Sequence, residues 1–265
     1  MSLFDLTGKT ALVTGGTKGI GRGIVEQLCA HGARVVVSSR DGAECARTAD
    51  ELNHRYGDGR EVSRGIAGDL SQLADVERLA DEAITAYDGL DILVCNAAVM
   101  PFIGNSADTP PELFDKILTV NIHHNFRLCQ AVRTSMRERG GGSIVLIGSA
   151  TGHMPMIQTM AYSIAKSGVA HMVRCLADEM VVDHIRVNGV APGLIRSAAS
   201  TPLWSDPQRL DDSVRDIPLG RIGEPEDIAG AVVFLSSTAG SFVTGSTILV
   251  DGGRVMLTPP VERAL

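Results

Sequence analysis

From residue 10 to residue 250, short β-branched runs alternate with segments of helical period, and this alternation restricts the chain to a parallel sheet with helices on both faces. Strands are predicted over 10–13, 34–38, 61–66, 91–95, 143–148, 186–191 and 247–250. Helices are predicted over 20–31, 41–56, 74–87, 111–139, 161–183 and 226–236. In the fourth of these, Phe114, Ile117, Leu118, Ile122 and Phe126 recur at three to four residues. Residues 193–221 carry Pro202, Pro207 and Pro218 and read as irregular, a mobile lid over a pocket. No linker or internal repeat interrupts the pattern. The expectation is a single α/β domain over 1–265, a Rossmann-type, doubly wound parallel sheet; the alternative makes 193–221 a small separate lobe.

Composition narrows the partners. Of 265 residues, 44% are hydrophobic and 21% charged, enough apolar surface for a packed core rather than disorder. The net charge of −7 disfavours nucleic acid or an anionic membrane as a global partner, while leaving room for a local basic pocket. Five cysteines lie without paired or metal-type spacing, which suits reduced thiols in a cytoplasmic protein. Neither the seven histidines nor any other residues show a metal motif; the adjacent His123 and His124 would diverge by about 100° on a helix. The N-terminus lacks the pattern of a signal peptide. Residues 140–165 carry no charge but are broken by Gly, Ser, Thr, His and Pro155, unlike a membrane span.

The first strand runs into Thr14-Gly15-Gly16-Thr17-Lys18-Gly19-Ile20-Gly21, which opens a helix. A glycine turn in that context suits a dinucleotide diphosphate: the backbone can approach closely, and the helix N-terminus offers free N–H groups and the positive end of its dipole. At the end of the second strand, where an acid would bind ribose hydroxyls, the chain reads Ser38-Ser39-Arg40. Ser39 does not repel a 2′-phosphate, and Arg40 can hold one through bidentate hydrogen bonds, with Lys18 as a second cation. This points to NADP(H) in preference to NAD(H). The alternative makes both cations solvated surface groups, and Asp41 follows directly. Asp69-Leu70 ends the third strand, where a carboxylate can accept from an adenine amino group or cap the following helix. Asn96-Ala97-Ala98 ends the fourth, and its small residues let the sheet edge lie against a cofactor.

Tyr162 and Lys166 are four residues apart, on one helix face, with Ser149 at the end of the fifth strand. A phenol can give a proton to a carbonyl oxygen that receives negative charge. A free tyrosine has a pKa of about 10, and an ammonium nearby is expected to lower it. Ser149 is positioned to hold the substrate oxygen.

These motifs together resemble the short-chain dehydrogenase/reductase family: Thr14-Gly-x-x-x-Gly19-x-Gly21, Asp69, Asn96-Ala97-Ala98, Asn121, Ser149, Tyr162-x-x-x-Lys166 and Pro192-Gly193 stand in the family's order. The resemblance covers nearly the whole chain. It implies seven strands and, in most members, a homotetramer; Val169, Met172, Val173 and Leu176 on the helix over 161–183 suit such an assembly, or equally burial within one subunit. It implies a catalytic set of Asn121, Ser149, Tyr162 and Lys166, in which Asn121 locks a water that relays protons to the lysine. It also places Pro192, Gly193, Ile195 and Ser197 beside the nicotinamide, and lets Lys166 reach the nicotinamide ribose. Within the family, Cys95-Asn96-Ala97-Ala98-Val99, Pro101-Phe102 and Leu219-Gly-Arg-Ile-Gly-Glu-Pro-Glu-Asp227 are most similar to NADPH-dependent carbonyl and retinal reductases of the peroxisomal type.

Three departures stand out. The usual Asn-Asn-Ala-Gly is Cys95-Asn96-Ala97-Ala98. The usual threonine after the Pro-Gly pair is Ser197. The C-terminus, Val261-Glu262-Arg263-Ala264-Leu265, is not a peroxisomal tripeptide.

Four of nine methionines, Met100, Met154, Met156 and Met160, fall near the expected site, with Phe102 and the lone tryptophan, Trp204. Methionine adapts to varied ligands, so the expected substrate is a bulky, largely apolar ketone or aldehyde, or the corresponding alcohol; these residues packing against loops or a partner subunit is the alternative. The leading expectation is an NADP(H)-dependent oxidoreductase interconverting carbonyl and alcohol. An NAD-dependent alcohol dehydrogenase, or a non-catalytic dinucleotide-binding protein, are the alternatives.

Overall fold

The computed structural model describes residues 2–256, so the C-terminal tripeptide named above lies outside the described residues. Seven strands form one parallel sheet in the order β3-β2-β1-β4-β5-β6-β7. They are β1 (Thr10–Thr14), β2 (Arg34–Ser39), β3 (Ser63–Ala67), β4 (Ile92–Cys95), β5 (Gly142–Ile147), β6 (Ile185–Pro192) and β7 (Thr247–Val250). Between them run α1 (Gly19–Ala30), α2 (Gly42–Tyr56), α3 (Leu73–Ala86), α4 (Pro111–Leu118), α5 (Asn125–Glu138), α6 (Met160–Met180), α7 (Pro207–Arg215) and α8 (Pro225–Ser236).

Side chains alternate across a strand, so each apolar run feeds two cores. Leu12, Val36, Leu93 and Leu146 face one side, where α3, α5 and α6 supply Leu79, Val132 and Val173. Ala11, Val13, Val37, Val94 and Val145 face the other, against Ile24 and Leu28 of α1 and Ile228 and Val232 of α8. Strand order reverses between β1 and β4; Ala11 of β1 lies opposite Val35 of β2 on one side and Ile92 of β4 on the other. The crevice beyond the carboxyl ends of those strands is where open α/β sheets bind ligands.

Three expectations change. The helix expected over 111–139 is not continuous: α4 and α5 are separated by a π-helical segment, Thr119–His124, which carries Asn121. Periodicity cannot reveal a wide turn of this kind, because the apolar spacing on either side continues. The stretch 193–221 is not irregular throughout. It holds a 3-10 turn, Ala198–Leu203, and then α7, whose N-cap Asp206 accepts from Arg209 N at 3.1 Å with Pro207 in the first helical position. There the proline starts a helix instead of marking a loop. Finally, Val169, Val173 and Leu176 of α6 are buried in the chain's own core, with Met172 packed against it, so that apolar face says nothing for a homotetramer.

Candidate active site

The glycine turn is bound to the sheet on both sides. Gly16 N donates to Ser38 O at 2.9 Å, on β2. Asn96, past the end of β4, donates through Nδ2 to Thr14 O at 2.9 Å and to Gly15 O at 3.1 Å. Thr14 Oγ1 accepts in return from Asn96 N at 3.0 Å and Ala97 N at 3.1 Å. Gly15 and Gly19 hold φ of 65° and 52°, a region costly for other residues. A Cβ on Gly21 would collide with the Gly15 carbonyl oxygen. Lys18, the N-cap of α1, makes no side-chain capping bond, so the first-turn N–H groups stay free of a side-chain cap. Thr17 and Ile20 are half-buried in this turn, Ile20 against the core. These residues fit a dinucleotide diphosphate.

At the adjoining corner, Arg40 is exposed and forms no ion pair among the described residues. Asp41 faces away from it in function: its Oδ1 caps α2, accepting from Ala43 N at 3.0 Å and Glu44 N at 3.1 Å. Lys18 is not wholly free, for its Nζ lies 3.7 Å from Glu44 Oε2. Glu44 is held more closely by Arg47, at 2.6 Å, and that hydrogen bond first, then Arg47 and Lys18 charge, lowers its pKa against desolvation. Asp69 does not cap α3; its Oδ1 accepts from Ser71 N at 2.9 Å in an Asx turn. Leu70 is buried, and its carbonyl oxygen lies 2.7 Å from His124 Nδ1.

Ser149, Tyr162 and Lys166 converge at the end of β5. Lys166 is 2% exposed, and its Nζ donates to Ile147 O at 2.8 Å while lying 5.5 Å from the centroid of the Tyr162 ring. Burial lowers the ammonium to about 8, with the Cys95 thiol acting in the opposite sense. Burial likewise pushes the Tyr162 phenol up to about 12, against a hydrogen bond from Ser149 that lowers it. The expectation that Lys166 sets the tyrosine therefore needs correction: desolvation dominates, and the serine supplies the opposing pull. Ser149 Oγ accepts from Thr151 N at 3.2 Å and from Thr151 Oγ1 at 3.0 Å. With its lone pairs filled from behind, its own hydrogen is left to donate forward.

Asn121 is fully buried and clamps the loop after Asn96-Ala97-Ala98. Its Oδ1 accepts from Val99 N and its Nδ2 donates to Val99 O, both at 2.9 Å. The side-chain amide thus grips both backbone polar groups of one residue. The main-chain oxygen of Asn121 accepts from Asn125 Nδ2 at 2.9 Å.

Pro192 closes β6, and Gly193 N donates to Val250 O at 3.0 Å. Ile195 is buried and bridges to Gly223. Ser197 forms a capping box with Ser200, its N donating to Ser200 Oγ at 3.0 Å. Trp204 is tied to this same turn: Nε1 donates to Ser200 Oγ at 3.0 Å, and the Arg196 guanidinium lies 4.8 Å from the ring centroid. Arg196 is itself paired with Glu224 at 2.9 Å. Met154 is half-buried, whereas Met100, Met156 and Met160 are exposed, as are Ile103 and Ile157 nearby in sequence. Gly104 N donates to Gln158 O at 2.9 Å and joins those two loops. A cavity of about 310 Å³ is bounded by Leu194, Ile195, Ile217, Leu219, Leu249 and Asp251; it touches the candidate site through Ile195, and none of Ser149, Tyr162 or Lys166 lines it.

Thr151, Thr14 and Asn125 were missed as partners of the site residues. The Ser-x-Thr spacing at 149–151 and the Asn-x-x-x-Asn spacing at 121–125 are the sequence signals that could have found two of them.

Comparison with known proteins places this arrangement in its class. A family model described as enoyl-(acyl carrier protein) reductase matches residues 15–254. Dehydrogenase/reductase SDR family member 4 of Bos taurus is 41% identical over 250 residues, covering 94% of this chain and 88% of that protein. Its Caenorhabditis elegans counterpart is 33% identical over 249 residues, covering 93% and 95%. Among solved structures, the Pseudomonas aeruginosa RhlG/NADP active-site complex superimposes with a TM-score of 0.90 at 36% identity, over 97% of this chain and 100% of that one. A 7α-hydroxysteroid dehydrogenase complexed with NADH and 7-oxo glycochenodeoxycholic acid gives 0.88 at 32% identity, over 96% and 97%. The chain belongs to the short-chain dehydrogenase/reductase family. It is an oxidoreductase of the class that interconverts carbonyl and alcohol substrates with a nicotinamide dinucleotide.

Replacing Asn121 by alanine removes both partners of the Val99 backbone at once. Chemical denaturation of Asn121→Ala should show a loss of about 1–3 kcal/mol, and an unchanged midpoint would contradict the clamp.

Proposed function

We propose that the protein reduces a ketone or aldehyde to an alcohol, reversibly, with NADP(H) preferred over NAD(H) and Tyr162 as the general acid and base. The observation that carries this reading is the convergence of half-buried Ser149 and Tyr162 on the buried Lys166, with Ser149 turned forward by Thr151. Gly15, Thr17, Gly19, Ile20 and Gly21 would hold the diphosphate. Lys18, Ser39 and Arg40 would hold the 2′-phosphate, Asp69 and Leu70 the adenine. Asn96, Ala97, Pro192, Gly193, Ile195 and Ser197 would line the nicotinamide, with Tyr162 and Lys166 at its ribose. When bound, the reduced cofactor supplies a hydride to the carbonyl carbon.

The residues of the chain manage the oxygen. Ser149 donates a hydrogen bond to it as negative charge develops. Tyr162, a phenol at neutral pH and pushed further up to about 12 by burial, gives that oxygen its proton. Lys166, with its ammonium near the Tyr162 ring, offsets the charge left on the phenolate. Asn121 would hold, through its main-chain oxygen, a water that can return a proton toward the lysine.

Arg40, exposed and unpaired among the described residues, and the diversion of Asp41 into a helix cap support NADP(H). The Glu44 carboxylate beside Lys18 favours the second reading, an NAD-dependent alcohol dehydrogenase. The Pseudomonas neighbour was solved with NADP and the hydroxysteroid dehydrogenase with NADH, so the neighbours support either. Met154, Met156 and Trp204 beside exposed apolar loops support a bulky apolar substrate, in keeping with the keto-steroid held by one neighbour. The same reading makes 193–221 a lid on a single domain. It makes the protein a cytoplasmic homotetramer, an assembly that exposed Phe242 and Val182 would suit. Among the described residues, no helix is long and apolar enough to cross a membrane.

A panel of ketones and aldehydes, followed by NADPH consumption, tests the reaction. Tyr162→Phe should lower turnover by about 10²–10⁴-fold while leaving NADPH affinity intact; undiminished turnover would remove the acid. Reduction should be steady through neutral pH and decline as pH rises past about 8, where Lys166 loses the proton it carries below that value; a rate that persists far above it would contradict the role given to the ammonium. Arg40→Asp should cut the preference for NADPH over NADH by roughly 10–100-fold, whereas a wild type that uses NADH equally well contradicts the 2′-phosphate site.

A further inference from the structure

We propose that Cys45 is a positioning residue for coenzyme choice: its buried thiol fixes the Ser39 hydroxyl as an outward donor to a 2′-phosphate. The proposal rests on the NADP(H) reading above. Cys45 lies in the first turn of α2 and is fully buried. Ser39 N, at the end of β2, donates to Cys45 Sγ at 3.1 Å, so sulfur accepts the last strand N–H. Sγ also lies 3.2 Å from Ser39 Oγ, a pair in which either atom can donate, and its S–H has Ser39 O at 3.6 Å as a second acceptor. One residue thus grips both the backbone and the side chain of the serine that faces the proposed phosphate.

Counting protons gives the direction. The thiol and the hydroxyl hold one hydrogen each. When the S–H points to Ser39 Oγ instead of to Ser39 O, the serine hydrogen must go elsewhere, and Asp41 O, at a long 3.3 Å, is the acceptor within its reach. A phosphate oxygen is a stronger acceptor than that carbonyl and would displace it. The coenzyme without phosphate presents a 2′-hydroxyl, which can donate or accept, so it meets Ser39 whichever way the hydrogen points. The thiol therefore matters for one coenzyme and little for the other. Cys45 cannot swing away, because the Asp41 cap fixes its turn and β3 packs so closely that a Cβ on Gly65 would collide with the Cys45 backbone.

The test uses the full chain, with dissociation constants for NADPH and NADH measured by fluorescence titration, and kcat and KM by ketone reduction. Cys45→Ala should weaken NADPH by roughly three- to tenfold, leave NADH within about twofold, and preserve kcat at saturating NADPH. Cys45→Ser, which keeps one donor and one acceptor, should recover most of the loss. In a Ser39→Ala background, Cys45→Ala should change the ratio no further. Cys45→Val keeps the volume without the hydrogen bonds and gives the same readout should the alanine variant fail to fold. Equal weakening of both coenzymes, or none, overturns the proposal. If Arg40→Asp abolishes the NADPH preference while the Cys45 variants keep it, this inference alone falls. A wild type without that preference overturns both.

Discussion

A lysine amine with almost no exposed surface, donating at 2.8 Å to the carbonyl oxygen of Ile147, is the interaction on which the site depends. Burying a charge is costly unless it is paired, so the depressed pKa and the strand-end acceptor belong together. The same bond ties α6 to the carboxyl end of β5, which fixes where Tyr162 stands four residues earlier. Because the sheet is parallel, β1, β4, β5 and β6 all end at this edge, and their loops bring the glycine turn, Asn96, Ser149 and Pro192 into one crevice.

Around that crevice, hydroxyls are aimed by what fills them from behind. Thr151 occupies Ser149 Oγ with two donors, and Cys45 grips Ser39 through its amide and its hydroxyl. Thr14 Oγ1 takes two amide hydrogens from the Asn96-Ala97 turn and lies 3.4 Å from Val94 O. In each case a small polar side chain that touches no ligand decides which way a neighbouring group can donate. Preorganised donors of this kind need no rearrangement as charge develops. Asn121 does a related task for backbone, holding the N–H and C=O of Val99 in the loop that follows β4.

Much of this was legible in the sequence, for physical reasons. Seven strands and their order along the chain follow from periods of two and of three to four, and the motif residues end those strands where a Rossmann-type sheet requires. Three things were not legible. The π-helical turn at Thr119–His124 leaves the four-residue spacing of Phe114, Leu118, Ile122 and Phe126 undisturbed, so no pattern betrays it. Pro207 reads equally as loop or helix start until Asp206 is seen to cap α7. The ionisation of Tyr162 depends on burial, which spacing does not encode; a lysine four positions after the tyrosine suggests a lowered phenol, and desolvation raises it. Partners at short spacing, such as Thr151 and Asn125, were visible as residues but not as hydrogen bonds.

The account turns on Tyr162 being a proton donor at neutral pH, and the chain's three tyrosines make that directly measurable. Ultraviolet difference titration of the wild type against Tyr162→Phe isolates the phenolate absorbance of this one side chain. The account predicts no such absorbance in the coenzyme-free protein below pH about 10, the ordinary value for a free tyrosine. A phenolate signal that appears near neutral pH and disappears in Tyr162→Phe would contradict it.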